Sequence, residues 1–211
     1  MFKINLQRHT FYPFNPALGQ LMQSAVSGKT VDRGFIAHLA WTALQAVVAS
    51  TTGLKAATAV SADSVTSLVP TAQPSCAKNV TLTVGGTAGS IKAVVCTIYG
   101  TNDADEAITE VAPAFTVDTA GTVSGSKAFK TVTKVDVPAQ DGAGVTVSIG
   151  FGEKLGLPFK LSHNTYLFAF LDHVVEATPA AIATSATALE SNTIDTDTAL
   201  DGSLLDAYFI V

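Results

Sequence analysis

The chain has 211 residues, of which 47% are apolar and only 14% charged, and its formal net charge is −5. Ala, Thr, Val, Gly and Ser (32, 27, 22, 16 and 15 residues) make up 112 of them, a mixture too apolar for a disordered chain and too poor in Glu, Lys and Leu for a coiled coil. One β-rich, sparsely charged domain with an appendage is the expectation at this length.

Residues 1–30 read as an extended arm. Phe2, Phe11, Tyr12 and Phe14 stand among polar groups, and Pro13 and Pro16 remove donors and impose extended geometry. An arm without a helix or strand period cannot bury its own aromatics, so these must lie against the rest of the protein or another chain. With Arg8 they are the candidate partner contacts.

A helix is expected next. Asp32 can cap it, and Phe35, Ile36, Leu39, Ala43, Ala46 and Val47 recur at three- and four-residue steps, with Trp41, Leu44 and Val48 widening the stripe. The apolar stretch Phe35–Ala49 is interrupted by His38 and Gln45, and it falls short of the roughly 20 residues a bilayer crossing needs. No membrane span or targeting segment is expected. Residues 1–55 form the expected arm-and-helix unit for assembly contacts, and residues 56–78, rich in Ala, Ser and Thr, read as a linker.

From Asn79 the period changes to two. Val80, Leu82 and Val84 alternate with Thr81 and Thr83. Further strands are expected at Ile91–Tyr99, Ile108–Val111, Ala128–Val137, Val145–Ile149, Tyr166–Leu171, Ile182–Thr187 and Ala207–Val211, with turns at Gly100, Gly121, Gly125, Asp141-Gly142, Gly150, Gly152 and Asp201-Gly202. Short strands at this spacing predict an antiparallel β-sandwich or barrel-like domain over residues 79–211, with its last strand pinning the C-terminus.

Charge is unevenly distributed. Residues 1–55 carry a net +4 and residues 56–211 a net −9, and no Lys or Arg follows Lys160. Such a split suits two surfaces with different partners or successive copies meeting head to tail. The absence of a Lys/Arg cluster argues against nucleic acid. Cys76 and Cys96 are too few for a disulfide framework and read as free, buried thiols.

Chemical motifs are weak. The run Gly150-Phe-Gly152-Glu-Lys-Leu-Gly156 lacks the ending of a phosphate loop and reads as a turn. Asp195, Asp197 and Asp201 suggest a surface cation site without the spacing of a calcium loop. Ser162-His163 is a nucleophile–base pair only if adjacent side chains meet, which a strand forbids. Asp103, Asp105 and Glu106 form an acidic turn, and Asn79-Val-Thr81 is a glycosylation sequon by chance. No enzyme, cofactor or metal centre is expected.

Four stretches carry a resemblance. Gly121-Thr-Val-Ser-Gly125-Ser-Lys-Ala-Phe-Lys-Thr-Val-Thr-Lys-Val135 and Val145-Thr-Val-Ser-Ile-Gly-Phe-Gly-Glu-Lys-Leu-Gly-Leu-Pro158 resemble β-rich structural proteins of tailed bacteriophages, as do Lys160-Leu-Ser-His-Asn164 and Ala188-Leu-Glu-Ser-Asn-Thr-Ile-Asp195. The resemblance covers roughly residues 79–211. It implies a virion protein assembled in the host cytoplasm. The leading expectation is a head decoration or cement subunit, a homo-oligomer with a trimer favoured, contacting the major capsid protein through residues 1–55. The competing readings are a tail, baseplate or fibre-attachment subunit, and a receptor- or carbohydrate-binding β-sandwich.

Overall fold

The computed structural model describes residues 34–211 and, ahead of them, a two-stranded ribbon of β1 (Met22–Gln23) and β2 (Thr30–Val31). Three larger sheets follow, and every pairing in them is antiparallel. The chain runs through β3 (Ile36–Trp41), β4 (Ser50–Ala59), β5 (Thr66–Leu68), β6 (Lys78–Gly86), β7 (Thr97–Thr101), β8 (Ala107–Val111), β9 (Gly121–Phe129) and β10 (Thr131–Val137). It continues with β11 (Val145–Gly156), β12 (Tyr166–Leu171), β13 (Val174–Val175), β14 (Ala181–Ala183), β15 (Thr193–Asp195) and β16 (Leu205–Ile210). The only helical turn among the described residues is a 3-10 turn at Leu189–Ser191.

The largest sheet has the order β14-β15-β11-β6-β9, with β4 also on β11. One end of it packs on the sheet β5-β10-β7-β8. Leu54, Leu82 and Ile149 from the first sheet and Leu68, Ile98 and Val135 from the second share this core, all 3% exposed or less. The other end, through Leu155 and Ile194, packs on the sheet β13-β12-β16-β3 around Trp41, Ala169, Leu205 and Phe209. The alternation Val80, Leu82, Val84 supplies the buried face of β6, while Thr83 on the opposite face is hydrogen-bonded to Thr122 of β9 at 2.7 Å.

The antiparallel, mainly β expectation holds, and the C-terminal strand is central in its sheet. The helix at Phe35–Ala49 does not form. Ile36–Trp41 is β3, paired along its length with β16 from Ile36↔Ile210 to Trp41↔Leu205. Its residues satisfy both periods, because Ala37, Leu39 and Trp41 also fall on one face of a strand. The open edge of β16 offers a ladder that an isolated helical turn cannot match. The chain then reverses in one tight turn, in which Gln45 N and Ala46 N donate to Thr42 O while Gln45 Oε1 accepts from Thr42 N.

Residues 56–78 are not a plain linker either. β4 continues through Ala59 along β11, β5 pairs with β10, and β6 begins at Lys78. At Gly121 and Gly125, turns were expected; the chain instead runs through both in β9. Ile91–Tyr99 is a strand only from Thr97, and Ile182–Thr187 only through Ala183. Asp172 and His173, both with positive φ (49° and 64°), close the β12–β13 hairpin, a conformation that two-residue hairpin turns require.

Candidate interaction surface

The sheet β13-β12-β16-β3 has one buried face and one bare one. Alternation sends Ala169 and Leu171, Leu205, Ala207 and Phe209, and Trp41 into the core. The intervening residues point outwards: Phe168 and Phe170 on β12, Asp206, Tyr208 and Ile210 on β16, and Ile36 and His38 on β3. Register brings them together. Tyr208 lies opposite both His38 and Phe168, and Phe170 lies opposite Asp206 and Val175.

The result is a ladder of rings across three strands. His38 stacks on Tyr208 with centroids 4.6 Å apart and planes 6° from parallel, and Tyr208 meets Phe168 at 4.8 Å. Phe170 closes the cluster edge-on, 5.6 Å from Phe168 and 6.2 Å from Tyr208. Such offset and edge-to-face arrangements hold aromatic side chains rigid at low entropic cost. His38 Nε2 and Asp206 Oδ1 are 2.7 Å apart, fixing the polar rim of the ladder. Ile36 is 67% exposed, Val175 54%, Ile210 43% and Phe168 41%. Large apolar side chains gathered on one exposed face are uncommon on a protein surface, and the four strands that build it contain neither Lys nor Arg.

Helical periodicity over Phe35–Ala49 hides this surface in the sequence, because it takes β3, with Ile36, His38 and Trp41, out of the sheet. The signal was present in Tyr166–Leu171, which is apolar in both phases although only one face reaches the core. Phe2, Arg8, Phe11, Tyr12 and Phe14, the residues singled out as partner contacts, lie outside the described residues.

Other motifs resolve differently. The glycine run 150–156 is not a turn: it lies inside β11. There β11 loses register with β6 between Phe151 and Leu155 and passes from β4 to β15, leaving a cleft of about 400 Å³ at Gly152–Lys154. Ser50, Asn79, Thr81, Ser124 and Asp195 line it, and the buried Thr81 hydroxyl has no hydrogen-bond partner. Ser162 and His163 lie on a bend rather than a strand, so their side chains do meet, with Oγ and Nδ1 2.9 Å apart at a second cleft of about 390 Å³. Among the described residues no carboxylate is hydrogen-bonded to His163, so the pair lacks the group that orients a catalytic base.

Asn79 is 2% exposed and its Nδ2 donates to Gly125 O, so the sequon is closed to a glycan. The acidic turn is organised by Asn102, whose Oδ1 accepts from Ala104 N and Glu106 N, and by Lys130 on Asp105 at 2.8 Å. No cluster of three or more His, Cys, Asp or Glu side chains suited to a metal occurs among the described residues; Asp201 accepts from Ser203 N in a turn. Both cysteines are free, Cys96 buried and Cys76 half-buried. No helix is long and apolar enough to cross a membrane among the described residues.

Comparison with protein-family models, with curated proteins and with solved structures finds no match.

Proposed function

We propose that this chain is a non-enzymatic structural subunit of a tailed-bacteriophage particle, a decoration subunit that binds the outer head lattice as a homo-oligomer. The observation that supports this reading is the aromatic outer face of β12, β16 and β3 on a chain with only 14% charged residues. Surfaces poor in charge and rich in Tyr and Phe suit burial against another protein. The fold adds a rigid antiparallel frame, and the resemblance of residues 79–211 to phage structural proteins supplies the particle. Residues 1–55 reach the neighbour, with Phe2, Arg8, Phe11, Tyr12 and Phe14 as anchors.

The test is truncation. Removing residues 1–30 leaves the sheets of residues 34–211 folded, judged by an unchanged far-ultraviolet circular dichroism spectrum, and abolishes binding to particles. Full occupancy by the truncated chain overturns the role of the arm.

A further inference from the structure

The six-stranded sheet carries a cleft that the particle role does not use. We propose that this cleft, about 400 Å³ beside Gly152–Lys154, binds a neutral saccharide. Its volume falls within the roughly 300–1,000 Å³ of small-molecule sites. The proposal stands apart from the contact face of β12, β16 and β3, which belongs to another sheet.

The first argument is an unsatisfied group. Thr81, which lines the cleft, is 6% exposed on β6 between Gly150 of β11 and Ser124 of β9, and its hydroxyl has no hydrogen-bond partner. A buried hydroxyl left unpaired is unfavourable, and a ligand that bonds to it removes the penalty. The second is a preformed wall. Beyond Phe151, where β11 leaves the register of β6, Asn79 braces the strand: its Oδ1 accepts from Lys154 N and its Nδ2 donates to Gly125 O, both at 3.1 Å. Irregularities of this kind re-aim side chains, and here Glu153 and Lys154 join the cleft wall.

Chemistry selects the ligand. Ser50, Thr81 and Ser124 bring hydroxyls, which both donate and accept and so match a ligand that is itself built of hydroxyls. Glu153 and Asp195 bring carboxylates that accept from ligand O–H groups, and Lys154 brings an ammonium that donates to a ligand oxygen. Among the described residues none of these three charged side chains takes part in an ion pair or a side-chain hydrogen bond. Half-buried Phe151 adds an apolar patch for the C–H face of a sugar ring. Two carboxylates against one ammonium oppose an anionic ligand. A zwitterion such as glycine has no hydroxyls to meet the Ser and Thr side chains.

Titration of the isotope-labelled full-length chain with glucose, galactose, mannose and N-acetylglucosamine in turn, followed by amide NMR, tests this. The expected result is that at least one sugar shifts the amides of Thr81, Ser124 and Gly152–Lys154 saturably, with a Kd on the order of millimolar. Thr81→Val removes the orphan hydroxyl alone. It weakens the sugar roughly tenfold, while the urea midpoint of the free chain holds or rises because no hydrogen bond within the protein is lost. Asp195→Asn, on the half-buried end of β15, weakens the sugar by a similar factor and decides the matter if Thr81→Val does not fold. No shift with any of the four sugars overturns the inference, as do shifts elsewhere or shifts that both variants leave unchanged. The same amides answering glycine and none of the sugars make the ligand an amino acid and overturn it too. These results are read on the free chain, so the particle role stands or falls separately by binding to particles.

Discussion

Glu110 is 7% exposed on β8, and among the described residues its carboxylate is held by hydrogen-bond donors rather than by an ion pair. Its Oε1 accepts from Ser126 N at 2.6 Å, Ser126 Oγ at 2.8 Å and Lys127 N at 3.2 Å, clasping β9 to the neighbouring sheet. Gly125 makes room, since an added Cβ there would touch the carboxylate. Glu110→Ala strands those backbone N–H groups and is expected to cost about 3 kcal/mol in urea unfolding; a loss near zero would mean that water replaces the clasp. Asn192, fully buried, plays a similar part by accepting from Leu161 N and Ser185 N and donating to Ser185 O and Ala188 O. Burial pushes the Cys96 thiol up to about 12. With the folded value above the unfolded one, this group leaves stability constant below about pH 9 and erodes it as pH rises towards 12. Cys96→Val therefore flattens the alkaline limb of the stability curve, measured by denaturant midpoints from pH 8 upwards; parallel limbs for the two proteins would contradict the assignment. Sequence foresaw a buried thiol here. It could not foresee the Glu110 clasp, because its donors come from residues sixteen and seventeen positions away, on a strand read as turns.

At the scale of elements, glycine in β11 misled the reading because the same residue serves two ends. Gly150 and Gly152 carry no turn; they let other groups approach the strand closely. An added Cβ on Gly150 would collide with Ser50 O, and one on Gly152 with the Asn79 side chain. Gly53 of β4 likewise accepts the Phe151 ring. That ring in turn lies 5.0 Å from Lys78 Nζ, a buried ammonium that donates to Val47 O at 3.0 Å and whose pKa burial lowers. Gly150→Ala is expected to push β4 from β11 and to cost about 2–4 kcal/mol, beyond the helix- or strand-propensity effects of an Ala. Hydrogen exchange should then quicken in Ser50–Ala59 first; unchanged protection there would contradict the close approach. Lys78–Gly86 was legible because Val80, Leu82 and Val84 alternate with threonines, so that one face is apolar and the other polar. Ile36–Trp41 was not, because its pattern fits a helix as well as a strand and only the partner strand β16 decides.

For the molecule as a whole, the low charge that stands out in the composition gains a location. The six-stranded sheet carries a face of Thr, Ser and Asn, whereas the β13-β12-β16-β3 sheet turns Phe168, Phe170, Tyr208 and Ile36 outwards. Composition announced a protein with little ionic surface. Which sheet would be left bare depended on how three sheets share two cores, a long-range matter that no local pattern encodes. The proposed role makes the chain a repeated structural part of a particle. Its copy number in purified particles, read from a stained gel against the major capsid band, tests that most directly. Hundreds of copies per particle, comparable with the capsid protein, are expected of a decoration subunit; a handful would place the chain in a tail or baseplate, and none would contradict a role in the particle.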